Sequence, residues 1–89
     1  MLKMLFFYIN IEGPSKIQEE LVKNIEILFK GKVKVKRINI EKDKESVEKY
    51  DVTEVPTIII EKDEEVTDRF IGLTQELFLK RALEKVCKT

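Results

Sequence analysis

Apolar residues fall into two distinguishable rhythms along this chain. Met4-Leu5-Phe6-Phe7-Tyr8-Ile9 is a continuous apolar and aromatic run, the pattern of a strand covered on both faces. Asn10-Ile11-Glu12-Gly13-Pro14 interrupts it and leads into a helix, with Pro14 at the first helical position, where its missing N–H needs no partner. Ile17, Leu21, Ile25 and Leu28 then recur at helical spacing between charges, and Gly31 stands where a helix end commonly takes a left-handed residue. Lys32-Val33-Lys34-Val35-Lys36 alternates with period two. Ile38 and Ile40 continue on the opposite parity, which predicts a strand with a bulge or a change of exposure along it.

The second half repeats these signals in shorter elements. A short helix is predicted from Lys44 to Tyr50, with Val47 and Tyr50 turned inward. Thr57-Ile58-Ile59-Ile60 and Val66 to Ile71 read as an antiparallel hairpin around Asp63-Glu64. That turn lacks the Asn-Gly or Asp-Gly usual in a two-residue loop, so a longer or less regular connection is expected. Thr74 can cap a last helix whose apolar face is Phe78, Leu79, Ala82, Leu83 and Val86. The order is β-α-β-α-β-β-α in a single domain over residues 1–89, and the first strand–helix–strand is a parallel, right-handed unit.

Composition narrows the function classes. The chain has 89 residues, too few for two domains, and a chain this short buries only about 60% of its unfolded surface. It carries 17 basic and 17 acidic side chains, and this balance argues against generic nucleic-acid binding, whose footprint is a basic excess. The abundance of Lys and Glu leans toward a thermophilic source and a surface suited to ion-pair networks. There is no His, which removes the commonest general base and zinc ligand, so no metal or cofactor is expected. The single Cys87 excludes an intrachain disulfide and suggests a reducing compartment. No cleavage-site pattern follows the short run Leu5 to Ile9, and no segment approaches a membrane span, so the expectation is a cytoplasmic protein.

Three local motifs, in this order and spacing, resemble the thioredoxin superfamily. Phe6 to Lys16 is similar to the family's strand and active-site loop ending in C-G-P-C-K, with Glu12 and Ser15 where the two cysteines stand. Gly31 to Glu41 is similar to the family's next strand and its closing N-I-D, and Tyr50 to Thr57 is similar to its Y-G-V-x-x-V/I-P-T segment. Gly72 falls where the family has a glycine just after the last strand. The resemblance implies a minimal thioredoxin-like α/β fold, a four-stranded mixed sheet with helices on both faces, and a cis Pro56 facing the loop at Glu12. It also implies that the backbone before that proline pairs with an extended peptide or with glutathione, a form of strand addition.

The departures from the family bear on function. In the family one cysteine attacks as a thiolate and the second resolves the mixed disulfide. Glu12 and Ser15 can do neither, and Phe6 replaces the family's buried Asp. Glu12 at the helix start is either a carboxylate offered to a partner or an anion favourable to the helix dipole. Ser15 lacks a His to activate it and reads as a small polar first-turn residue. The Lys30-Lys32-Lys34-Lys36-Arg37 stripe reads as a protected edge strand rather than a nucleic-acid patch, since no stacking aromatics accompany it.

The resulting expectation is a redox-inactive binding module, acting as a monomer. It would hold a peptide or protein partner, or a glutathione-like thiol, with Glu12, Gly13, Pro14, Ser15, Val55, Pro56 and Gly72. The alternatives are residual monothiol activity through Cys87, and a regulatory assembly role by analogy with the circadian-clock KaiB family.

Overall fold

The structure is a computed structural model that describes residues 1–10 and 13–87. Its elements run β1 (Leu2–Tyr8), α1 (Pro14–Leu28), β2 (Lys34–Asn39), α2 (Lys44–Lys49), β3 (Thr57–Lys62), β4 (Glu65–Ile71) and α3 (Glu76–Cys87). They form one mixed four-stranded sheet in the order β2-β1-β3-β4. β1 is parallel to β2 and antiparallel to β3, and β3 is antiparallel to β4.

The continuous apolar run does what its pattern predicts. Met4 and Phe6 of β1 join Ile58 and Ile60 of β3 on one face, under Val22, Ile25 and Phe29 of the α1 segment and Leu79, Ala82 and Leu83 of α3. Leu5, Phe7 and Ile59 point to the other face, where Ile38, Ile40, Tyr50, Val52 and Val55 cover them. The parity change in β2 has the same cause and needs no bulge, because its pairing with β1 is unbroken from Lys34 to Asn39. Val33 and Val35 serve the α1–α3 face, and Ile38 and Ile40 serve the other. The sheet's irregularity lies instead between Ile60 and Glu61, opposite β4.

Four sequence expectations are corrected. On α1 the buried stripe is Ser15, Gln18, Val22 and Ile25, whereas Ile17 and Leu28 are half exposed at 52% and 54%. Two polar residues occupy the inward face, so counting apolar positions alone rotates the helix. On α3, Phe78 is 53% exposed and lies outside the apolar face. Thr74 does not cap α3: the helix begins at Glu76, and the Thr74 hydroxyl donates to the Gly72 carbonyl at 3.1 Å. The β3–β4 connection is a tight two-residue turn, since Lys62 pairs with Glu65. Asp63 and Glu64 both adopt positive φ, 51° and 70°, the type I′ geometry that glycine normally supplies. The N-terminal ammonium, held on the Asp63 carboxylate, braces this turn.

Polar contacts on both faces of the sheet orient the periphery. Arg37 on the edge strand β2 reaches Glu19 of α1 at 2.7 Å and Glu26 at 3.0 Å, so one guanidinium bridges two turns of the helix. The hydrogen bond to Glu26, with Glu19 assisting, raises the Arg37 pKa further. On the opposite face, Asp43 caps α2 through the Ser46 N–H at 3.1 Å, and the Tyr50 hydroxyl donates to the buried Glu61 carboxylate at 2.6 Å. Burial, with the Glu61 hydrogen bond second, pushes the Tyr50 phenol up to about 12 from an ordinary 10.0.

Two measurements follow from these elements. Glu64→Gly relieves a left-handed residue that bears a side chain, and unfolding in urea should show a gain of about 0.5–1 kcal/mol. An unchanged or lower midpoint would contradict the turn geometry. The folded state favours the neutral Tyr50 phenol, so its contribution is complete below pH 10 and is lost as pH rises through about 12. Stability relative to a Tyr50→Phe variant should therefore decline across that window and be flat below it.

Candidate functional site

The sheet register gathers several of the chain's connections at one end. Tyr8 ends β1 beside the start of β3 at Thr57, and Ile71 ends β4 opposite the same Thr57. Helices α1 and α3 both begin there, after Gly13 and after the 72–75 segment. Val55, Pro56, Gly72 and the first turn of α1 therefore share one pole. Glu12, the remaining candidate from the sequence, lies outside the described residues.

The predicted residues differ in what they present. Gly13, at φ 53°, is the N-cap of α1 and makes no side-chain cap, while its carbonyl accepts from the Lys16 N–H at 3.0 Å. Pro14 is exposed at the first turn. Ser15 is only 5% exposed, so it presents little surface to a ligand in solution. The Val55–Pro56 peptide is cis. The Pro56 carbonyl accepts from the Gly72 N–H at 2.8 Å, which fixes the 72–75 segment beside it. Gly72 holds φ 85°, a conformation glycine reaches at little cost.

Sequence reasoning missed the residue that locks this pole together. Gln18 lies one turn beyond Ser15 and is fully buried. Its Nε2 donates to the Thr74 carbonyl at 3.0 Å, and its Oε1 accepts from the Thr74 N–H at 2.7 Å. A side-chain amide thus pairs with a backbone amide as a neighbouring strand would, saturating both groups. The chain of contacts runs from α1 through Gln18, Thr74 and Gly72 to Pro56. The available signal was its position one turn before Val22 and two turns before Ile25, on the helix face those residues bury.

Around this frame the surface is apolar. Ile17 on α1, Ile71 and Leu73 beside Gly72, and Leu77 and Phe78 on α3 are each about half exposed. Among the described residues, neither the N–H nor the carbonyl of Val55 takes a hydrogen bond. Val55 itself is half-buried against the second core cluster, and the residue preceding a proline is biased to extended conformations. Cys87 lies at the opposite pole, in a cavity lined by Met1, Leu2, Lys32, Lys62 and Val86. The length of β3, about 17 Å at 3.3 Å per residue, separates that pole from Pro56. The described residues contain no group of three or more His, Cys, Asp or Glu able to hold a metal ion, and no helix among them is long and apolar enough to cross a membrane.

A two-faced mixed sheet with this order, and a cis-proline immediately before β3 at the pole where α1 begins, defines a thioredoxin-like fold. The thioredoxin family's sequence pattern matches residues 2–85, and the chain belongs to that family. It is 36% identical over 64 residues to a thioredoxin of Rickettsia felis, a match spanning 72% of this chain and 61% of that protein. It is 25% identical over 83 residues to a thioredoxin of Staphylococcus epidermidis, spanning 93% of this chain and 80% of the relative. Among solved structures, the germline-specific thioredoxin Deadhead of Drosophila melanogaster superposes with a TM-score of 0.85 at 29% identity, covering 96% of this chain and 80% of that one. A mutant thioredoxin from Halobacterium salinarum shares the fold at a TM-score of 0.86 and 24% identity, covering 99% of this chain and 76% of that one.

The Gln18 clamp is directly testable. Gln18→Met keeps the length of the side chain but orphans the Thr74 N–H and carbonyl, each worth about 1–3 kcal/mol when buried and unmet. Chemical denaturation should show a loss of about 2–4 kcal/mol, with the Thr74 amide exchanging much faster with solvent. Wild-type protection of that amide in the variant would show that the clamp does not hold.

Proposed function

We propose that this protein is a redox-inactive member of the thioredoxin family that binds an extended segment of a protein partner at the pole formed by Gly13-Pro14-Ser15, Val55-Pro56 and Gly72. On this reading it works as a monomer in the cytoplasm, engages neither nucleic acid nor membrane, and uses the Glu12 carboxylate in binding. The observation that carries the reading is the open backbone pair of Val55, framed by the half-exposed Ile71 and Leu73. Strand addition draws affinity from such main-chain groups and specificity from the side chains beside them. Nothing in that mode of binding requires sulfur.

The chemistry at the helix start supports the inactive half of the proposal. Disulfide exchange needs a thiolate to attack and a thiol to resolve. The sequence offers Glu12 and Ser15 at those positions. Serine needs a base to become a nucleophile, and the chain has no His. Cys87 sits at the far end of β3 and has no access to a substrate held by Val55.

Isotope-labelled protein titrated with a short extended apolar peptide, and separately with glutathione, tests the proposal. The expected result is saturable amide shifts confined to residues 12–15, 54–57 and 71–73 with the peptide. Ile71→Asp should weaken binding at least about tenfold, the effect of losing one well-placed apolar contact. Shifts elsewhere only, or disulfide reduction that vanishes in Cys87→Ser, would overturn it. A response to glutathione alone would reassign the groove to a small thiol.

A further inference from the structure

A second cavity, unrelated to the cis-proline pole, lies on the α2 face of the sheet. Its volume is about 170 Å³, and its floor is Leu5, Ile38, Tyr50 and Glu61. Lys3, Lys36 and Lys49 line it together with Glu45 and Glu64. Three cations and three carboxylates thus surround one small space. No ion pair joins any of the six to another described residue, because the pairs present involve only Arg37 with Glu19 and Glu26, and the N-terminus with Asp63.

Glu61 is the informative member. It is 4% exposed, the one buried carboxylate side chain among the described residues. It follows three isoleucines on β3, where another β-branched residue would satisfy the strand at no electrostatic cost. Its recorded partner is the Tyr50 hydroxyl, a neutral donor, at 2.6 Å on Oε2. Lys3 stands directly across the β1–β3 pair on the same face, yet forms no ion pair with it. A carboxylate removed from water without a cation costs several kcal/mol. A cation entering the cavity offsets that cost. A bare cation would also meet three lysines, Lys49 among them, whose Nζ lies 5.4 Å from the Tyr50 ring centroid. A ligand that brings its own anion resolves both problems.

We propose that this cavity binds a small zwitterion of the free α-amino-acid type, with its ammonium on Glu61 and its carboxylate toward Lys3 and Lys36. The apolar floor of Leu5 and Ile38 leaves room for a short side chain and disfavours a large or charged one. The site is independent of the peptide groove: it opens on a different face and shares none of the residues assigned there.

Glycine is the probe, with acetate and methylammonium as ligands that each carry one half of the charge pattern. Glycine added to isotope-labelled protein should give saturable shifts at the amides of Lys36, Tyr50 and Glu61, while either half-ligand at equal concentration gives less than a tenth of the response. Glu61→Gln keeps an oxygen that accepts from Tyr50 and should weaken glycine binding at least tenfold. The exposed Lys36→Met, which leaves the core untouched, should weaken it severalfold and serves if the first variant does not fold. No shift with glycine, equal shifts with acetate alone, or unchanged affinity in the folded variants would overturn the proposal.

Discussion

The structure depends on the burial of β1 and β3 on both faces. Phe6, Phe7, Ile58, Ile59 and Ile60 have no exposed surface, and each contributes about 1.5–3 kcal/mol by leaving water. In a chain of 89 residues no other element offers comparable apolar area. Both faces of the central pair must therefore be roofed, and α1 with α3 roof one while the α2-to-Val55 segment roofs the other. The roofing is unequal. Two long helices close their face, but a six-residue α2 covers only part of the other. The remainder of that face is where Lys3, Lys36 and Glu61 meet in an open cavity.

The same constraint places the groove. Strands covered on both sides expose backbone only at their ends, and the register brings the ends of β1 and β4 to the start of β3. Loops at that pole must still satisfy their own polar groups. The 72–75 segment does so by borrowing the Gln18 amide and the Pro56 carbonyl. Val55 does not: among the described residues its donor and acceptor have no protein partner, and this distinguishes the pole from an ordinary cluster of loops. The charged surface plays a smaller part than the composition suggests. Arg37 is the hub of the side-chain ion pairs among the described residues, consistent with the advantage of a planar fork over a flexible ammonium in holding two carboxylates.

Much of this was legible in the residues, for reasons that also explain the exceptions. Two-sided burial writes itself as an unbroken apolar run, so β1 was plain, and the parity switch of β2 encoded its transfer from one core to the other. The element order followed from the hydrophobic pattern, and the meeting of Pro56 and Gly72 at one pole is what the resemblance to the thioredoxin family implied. What failed were places where a polar residue does the work of an apolar one, or an ordinary residue that of glycine. Gln18 and Ser15 turn α1 by carrying polar atoms inward, which hydropathy counts as outward. Asp63-Glu64 forms a tight turn without the usual glycine, helped by a terminal ammonium that no local pattern announces. Glu61 ends an isoleucine run and reads as the polar edge of a strand, although the fold buries it.

The chemistry and the recognition of a thioredoxin fold reside in different atoms. The family's two-cysteine exchange uses two sulfurs at one helix start, whereas recognition on the proposed reading requires a backbone held open and an apolar rim. On the same reading, replacing both sulfurs removes the first, because neither a carboxylate nor a hydroxyl forms a disulfide. On that reading it leaves the second nearly untouched, since Val55 would act through main-chain groups, and the segment beside it is fixed by the Gly72–Pro56 hydrogen bond and by Gln18. A chain that lost its sulfurs would thus keep its groove for as long as the core kept its shape. Ser15 fits this account: at 5% exposure it is retained as a small group that fills the first turn of α1, and the surface a partner meets is made by its neighbours.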